Sequence, residues 1–228
     1  NKCCFWVGKY LDSIEVCGGK KLQGTLKVQG SKNAALPIIA ATVLIKGTTT
    51  LHNCPRITDI DYMLHILCEI GCAAKWKGNT LTVDASSCTT GKIPETYADK
   101  MRSSITLLGA LIGRNRQVCL PYPGGCIIGK RPIDMHITAL QKMGIDIEAA
   151  DTLLYANAEQ ITGARIRFEF PSVGATENVI LAAVLASGRT EIRNAAKEPE
   201  IIALSRFLKR AGAKISGEGT EHIVIDGV

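Results

Sequence analysis

Apolar and polar positions alternate in "TLKVQG" (25–30), close up into the helical run "AALPIIAATVLI" (34–45), and then alternate again in "TTTLHN" (48–53). This order predicts a strand, a helix stopped at Gly47, and a second strand. Asn33 is the expected N-cap of the helix, which would put Pro37 in the first turn, where its missing N–H costs nothing. A second, amphipathic helix follows, with Ile60, Met63, Leu64, Leu67 and Ile70 at helical spacing and Gly71 in the left-handed position after it. Two short strands around the turn "KGNT" close the unit.

The same succession returns. "GTLKVQGSKNAALPIIAATVLIKGTTTLHNCP" lies over "GARIRFEFPSVGATENVILAAVLASGRTEIRNAAKEP", matching Gly47 with Gly188, Thr49 with Thr190 and Asn53 with Asn194. Further on, Gly71 matches Gly212 and Asp84 matches Asp226, and a weaker middle copy sets Gly144 against Gly71. A unit of roughly 70 residues is longer than a solenoid repeat, so each copy is a small assembly of its own. The expected fold is a mixed α/β domain of three βαβαββ units, at about 24–90, 91–160 and 161–228. Residues 1–23 fall outside the repeat, and "SIEVCGG" within them has a strand pattern with no partner in its own unit.

Composition changes this picture little. With 46% apolar residues in 228, the chain can bury a large core, and its longest apolar run, "VILAAVLASG", is too short to span a membrane. The terminus shows neither a long apolar segment nor a small-residue cleavage site, so a cytoplasmic protein without a secretory signal is expected. Nine cysteines lack paired or metal-ligand spacing; Cys68 and Cys72 stand four apart with nothing nearby to complete a site, so no metal is expected. A net charge of +6 with only 5% aromatics argues against nucleic acid and suits small anionic ligands better.

Four places could carry chemistry. In "LPYPGGCIIGKRPIDMHI", Cys126 follows two glycines and precedes Lys130 and Arg131, cations that would favour its thiolate. It reads as a nucleophile or acid-base group, or as an idle surface thiol. The helix after it should open with Pro132 at its first position, close at Gly144, and bury Ile133, Ile137 and Leu140; His136 reads as a packed residue of that helix rather than a base. In "GSKNAA", Lys32 and Asn33 stand where a strand gives way to a helix, so ammonium, backbone N–H groups and helix dipole could meet one small anion. A plainly capped helix with a solvated Lys is the other reading. Arg102 heads another apolar helix, and "PSVGATEN" offers backbone donors at the matching place in the third unit.

Taken in order, "GSKNAALP", "MRSSITLLG", the Cys126 loop, "SVGATEN" and "NAAKEPEI" resemble the UDP-N-acetylglucosamine enolpyruvyl transferases, the 1-carboxyvinyltransferases that begin peptidoglycan precursor synthesis. The resemblance covers residues 14–228. It implies an inside-out α/β barrel domain, helices within and sheets without, and transfer of the enolpyruvyl group of phosphoenolpyruvate to the 3′ hydroxyl of UDP-N-acetylglucosamine. No metal or organic cofactor is implied, and the Cys126 loop sets the chain apart from the shikimate-pathway relatives.

Carried over by position, Cys126 corresponds to the loop cysteine that protonates the enolpyruvyl methylene, Lys32 and Asn33 to phosphoenolpyruvate contacts, and Arg102 to the substrate cleft. Arg131, Pro132, Ile133, Asp134 and Met135 correspond to the segment beside the UDP-sugar, and Ser172 and Val173 to the uridine side. Phe170 departs from the lysine common at its place. Family members place the active site between two such domains, so the chain is expected to be one half, with the C-terminal domain of the same enzyme as its partner and with Ile14 and Val16 in a strand that would join it. A non-catalytic UDP-sugar-binding or regulatory module of the same fold is the alternative.

Overall fold

The computed structural model describes residues 18–98, 100–123, 133–150 and 152–228. Its helices are α1 (Lys32–Ala41), α2 (Thr58–Glu69), α3 (Glu95–Ala98), α4 (Thr106–Asn115), α5 (Asp134–Gln141), α6 (Val173–Ala183) and α7 (Pro199–Arg210). The strands are β1 (Thr48–Leu51), β2 (Ala73–Lys77), β3 (Thr80–Asp84), β4 (Gln117–Pro121), β5 (Asp146–Ala150), β6 (Leu153–Asn157), β7 (Arg165–Arg167), β8 (Arg189–Arg193), β9 (Lys214–Ser216) and β10 (His222–Asp226). They form three separate sheets, ordered β1-β3-β2, β4-β6-β5 and β7-β8-β10-β9, with the last strand of each repeat in the middle of its antiparallel triplet.

Helices α4 and α6 form the interior, with unbroken apolar runs over residues 107–113 and 179–183. Every residue of α4 from Thr106 to Gly113, and every residue of α6 from Ala175 to Ala183, is buried. A helix apolar all round must be enclosed. The strands alternate buried with exposed positions, as in β10, so each sheet covers the helices with one face and meets solvent with the other. Between these layers α2 and α7 are two-sided; α7 buries Ile201, Leu204, Ser205 and Leu208 and exposes the rest of its circumference.

The repeat survives in backbone detail. Gly71, Gly144 and Gly212 have φ of +98°, +82° and +107°, and Asn53 and Asn194 share φ 55°. These are left-handed conformations open mainly to Gly and Asn, which is why the residue types recur.

Polar contacts tie the units together at two levels. At the C-terminal end of α4, the Arg114 guanidinium donates to the carbonyls of Val43 (2.7 Å) and Ala85 (2.8 Å) in the first unit. Next to it Arg116 donates to Leu185 O (3.4 Å) in the third. Charged donors on carbonyls contribute about 1.5–3 kcal/mol each when buried, less here where the groups are only partly so. Nearer the start of α4, the Asn178 side chain of α6 accepts from Gly109 N–H (2.7 Å) and donates to Ile105 O (3.0 Å). Those are the very groups that an α-helix pairs at i and i−4. Gly109 makes this possible, since a Cβ there would lie 2.3 Å from Asn178 O.

Four expectations need correction. Residues 25–30 form no strand: Leu26 and Val28 are 86% and 76% exposed. The matching β7 pairs in parallel with β8 and has buried Ile166, with Phe168 buried just beyond its end. Alternation marks a possible face, but a strand also needs anchored side chains and a partner. The N-cap of α1 is Ser31, whose hydroxyl accepts from Ala34 N–H at 3.4 Å, so Asn33 is already helical and Pro37 sits inside the helix. There Pro37 forfeits a bond to the Asn33 carbonyl instead of occupying a free first turn. Helix α5 is capped by Ile133 and starts at Asp134, two residues later than expected, and Gly144 lies one residue beyond the position expected for it. Ile137 is half-buried, while His136, Ala139 and Leu140 form the buried face.

Candidate functional site

The N-terminal ends of α1, α4, α6 and α7 meet at one end of the helical core. Asn33, second residue of α1, donates to Glu200 Oε1 at the start of α7 (3.5 Å). Glu200 in turn presses electrostatically on Glu177 of α6, which hydrogen-bonds Thr106, first residue of α4. Unpaired N–H groups and aligned dipoles make such an end attractive to anions. Lys32 adds an ammonium, held at 2.8 Å from Asp59 Oδ2 with both side chains substantially exposed. The pair is exposed enough for water or an incoming anion to compete with Asp59 for the ammonium.

A second group adjoins the first through the start of α4. Arg102 opens a 3-10 turn (Arg102–Ile105) that runs into α4, and its charge reaches His136 of α5. His136 is packed beside α6, where a Cβ on Gly174 would stand 3.0 Å from its Cε1. Burial, with the Arg102 charge second and Asp134 opposing, pulls the His136 pKa down to about 4. The ring is therefore neutral near pH 7. Asn178 Nδ2 lies 2.7 Å from His136 Nδ1 and can only donate, which makes Nδ1 the acceptor and puts the proton on Nε2. His136 is thus a packed, oriented residue, as its sequence context suggests.

The uridine-side candidates lie on the same end. Ser172 caps α6, its hydroxyl accepting from Ala175 N–H (3.4 Å), and Val173 is the first helical residue. Thr176 fastens this end to the chain before α7, donating to Ser172 O (2.7 Å) and accepting from Ala196 N–H (3.2 Å). At the start of α5, Ile133 is buried, Asp134 exposed and Met135 half-buried. Phe170 is 56% exposed beside the Ser172 cap. Lys32 and Asn33 thus stand at one side of the α4 start, and Arg102 with the α5 and α6 starts at the other. Cys126, Arg131 and Pro132 lie outside the described residues.

Sequence reasoning passed over Glu177, which is 7% exposed. Burial first, then the neighbouring Glu200 charge, raises its pKa to about 8 against the opposing Thr106 hydrogen bond. It is mostly protonated at neutral pH. The signal was available: one acid at the head of the apolar run "VILAA", in "ATENVILAA". Its neighbour Glu200 was likewise unremarkable in sequence, because its contact with Asn33 spans 167 positions.

Among the described residues, no group of three His, Cys, Asp or Glu side chains could hold a metal ion. No described helix is long and apolar enough to cross a membrane. The arrangement is a cationic and dipolar surface able to hold anions, with the mostly protonated Glu177 behind it.

The chain is 48% identical over 218 residues to UDP-N-acetylglucosamine 1-carboxyvinyltransferase 2 of Caldanaerobacter subterraneus, covering 96% of this chain and 52% of that protein. It is 44% identical over 218 residues to UDP-N-acetylglucosamine 1-carboxyvinyltransferase 1 of Carboxydothermus hydrogenoformans, again covering 96% and 52%. The chain spans about half the length of the curated relatives it matches. In fold it is similar to the enolpyruvyl transferase NikO from Streptomyces tendae (TM-score 0.78, 23% identity, 92% of this chain and 50% of that one). An EPSP synthase from Acinetobacter baumannii is also similar, with a TM-score of 0.70 at 19% identity over 90% of this chain and 47% of that one. A family profile matches residues 16–228, and by it this chain belongs to the EPSP synthase (3-phosphoshikimate 1-carboxyvinyltransferase) family.

Proposed function

We propose that the chain is one half of a UDP-N-acetylglucosamine 1-carboxyvinyltransferase. It would transfer the enolpyruvyl group of phosphoenolpyruvate to the 3′ hydroxyl of UDP-N-acetylglucosamine in the cytoplasm, with the C-terminal domain of the same enzyme completing the cleft. The observation that carries this reading is the 48% identity across 218 residues to a relative of that name. The grouping of helix N-termini with Lys32, Asn33 and Arg102 supports it, since both substrates are anionic.

In this reading residues 24–228 are the domain that carries the catalytic loop, in three units, and residues 1–23 join the other half. Cys126 gives a proton to the methylene carbon of phosphoenolpyruvate, and the neighbouring carbon becomes oxocarbenium-like and takes the sugar hydroxyl. Loss of the hydroxyl proton, of phosphate and of a proton from the methyl group so formed then restores the double bond. Lys32, Asn33, Arg102 and Arg131 hold the phosphate and carboxylate as charge shifts. Pro132, Ile133, Asp134 and Met135 lie along the UDP-sugar, with Ser172 and Val173 by the uridine.

The test is phosphate release from phosphoenolpyruvate by the chain joined to its second half. Release that requires UDP-N-acetylglucosamine and vanishes in Cys126→Ser is expected. Release driven instead by shikimate 3-phosphate would move the chain to the other branch of the family. Binding of the UDP-sugar with no phosphate release would favour a non-catalytic module.

A further inference from the structure

Away from this face, two buried thiols meet where the first unit closes on α4. The antiparallel register sets Ala73, first residue of β2, opposite Asp84 at the end of β3. Cys72 therefore enters β2 beside the chain that leaves β3 at Ala85. That chain turns back at once: Cys88 N–H donates to Ala85 O (3.2 Å) and Ser86 N–H to Asp84 Oδ1 (2.9 Å). The turn carries Cys88 over the backbone just before Cys72. A Cβ on Gly71 would stand 2.4 Å from Ser87 O and 3.7 Å from Cys88 Cα. The two thiols are in hydrogen-bonding contact, at 6% and 4% exposure.

Their surroundings treat the two sulfurs differently. The contact makes Cys72 the S–H donor and Cys88 the acceptor, which with burial pushes Cys72 far above the ordinary thiol range. The same hydrogen bond, helped by the Arg114 charge and opposed by burial, lowers Cys88 to about 7. Arg114 is fixed in place by the Val43 and Ala85 carbonyls. The Asn115 amide, whose Nδ2 is buried and without a hydrogen-bond partner of good geometry, adds a smaller lowering of Cys88. One sulfur is thus prepared as a thiolate beside a second that keeps its proton. Exposed Cys68 is near enough for its charge to be felt at Cys72.

We propose that Cys72 and Cys88 are a dithiol modification site that closes to an intramolecular disulfide on meeting a low-molecular-weight disulfide. Cys88 Sγ attacks one sulfur of that oxidant, and the S–S bond breaks with its electron pair leaving on the first small thiolate, which takes up a proton. Cys72 then gives up its proton and attacks Cys88 Sγ, expelling the second small thiolate. The protein dithiol is oxidised by two electrons and the small disulfide is reduced to two thiols. The new bond would pin both ends of the β2–β3 hairpin, in the wall to which Arg114 anchors α4. None of this depends on the enolpyruvyl reading.

The test is to equilibrate the folded 228-residue chain near neutral pH across a series of glutathione–glutathione disulfide ratios, quench with acid, alkylate and map the peptides by mass. The expected result is a Cys72–Cys88 linked peptide, lighter by two hydrogens, at ratios where no other cysteine pair is linked. Its appearance should raise the melting temperature. It should form equally in Cys68→Ser, an exposed change that leaves the fold intact, and be absent in Cys88→Ser. Glutathione remaining on Cys88 with Cys72 still free, or a first link made by any other pair, would overturn the proposal on the unmodified sequence alone.

Discussion

Helices α1 and α6 hold the same place in the first and third repeats and begin the same way, each with a serine whose hydroxyl accepts from the third residue on at 3.4 Å. Beyond the cap they part. On α1 the next residues, Lys32 and Asn33, are exposed and pair with Asp59 and Glu200 across the mouth of the site. On α6 the polar residues come a turn later, as Thr176, Glu177 and Asn178, and all three are buried. The shared cap supplies the geometry of a helix start. One copy leaves its polar residues at the surface, and the other uses them to join α6 to α4, α5 and the chain before α7.

That contrast can be broken most severely on the α6 side. Gly109→Ala puts a methyl group against the Asn178 backbone, and Asn178→Asp sets a carboxylate against Ile105 O. Each should destabilise by about 3 kcal/mol or more, read as a fall in the denaturation midpoint. A normal midpoint for Gly109→Ala would show that α4 and α6 need not approach so closely.

Glu177 gives the next effect, and its sign is fixed by linkage. Its folded pKa of about 8 lies above the unfolded value, so stability is fullest at low pH and falls as pH rises toward 8. His136, lowered to about 4, acts oppositely and loses its contribution as pH falls through its ordinary value toward 4. The two slopes oppose each other in mildly acid solution, leaving Glu177 alone between neutrality and pH 8. Glu177→Gln should therefore gain on the parent with rising pH, by on the order of 5 kcal/mol once Glu177 would have ionised, and match it near pH 4. Parallel stability curves would contradict a buried, protonated Glu177.

Smaller still are the caps. Ser172→Ala and Ser31→Ala should each cost about 1 kcal/mol in chemical denaturation, the former more because its helix start is the less exposed. Equal and negligible losses would mean the shared hydroxyls do not matter to helix initiation. The least stability change belongs to Lys32→Ala, which removes an exposed ion pair contributing less than about 1 kcal/mol.

What sequence could foretell follows from this difference in range. Glycines at φ +98° and +107° and asparagines at φ 55° answer to local backbone, so the repeat, both helix types and the strand pairs around the "KGNT" turn were legible. The Ser31 cap was missed by two residues because "SKN" offers two competent side chains, and only the backbone chose. Residues 25–30 failed since alternation says nothing of whether a partner holds the strand. The grouping of Asn33 with Glu200, or of Asn178 with Gly109, joins positions 167 and 69 apart, and no local pattern encodes it. The resemblance, not periodicity, singled out Lys32, Asn33 and Arg102 together. The Cys72–Cys88 contact was invisible to spacing, because it comes from strand register and a tight turn.

The central claim, resting on the proposed function, is that Lys32 and Asn33 at the start of α1 serve ligand chemistry while the buried Thr176, Glu177 and Asn178 of α6 serve structure. The most direct measurement pairs phosphate release with thermal melting for Lys32→Ala in the chain joined to its second half. The account predicts a melting temperature close to the parent's and turnover reduced at least about a hundredfold, the scale of losing a charge that stabilises a transition state. Undiminished turnover in a normally folded Lys32→Ala enzyme would contradict it.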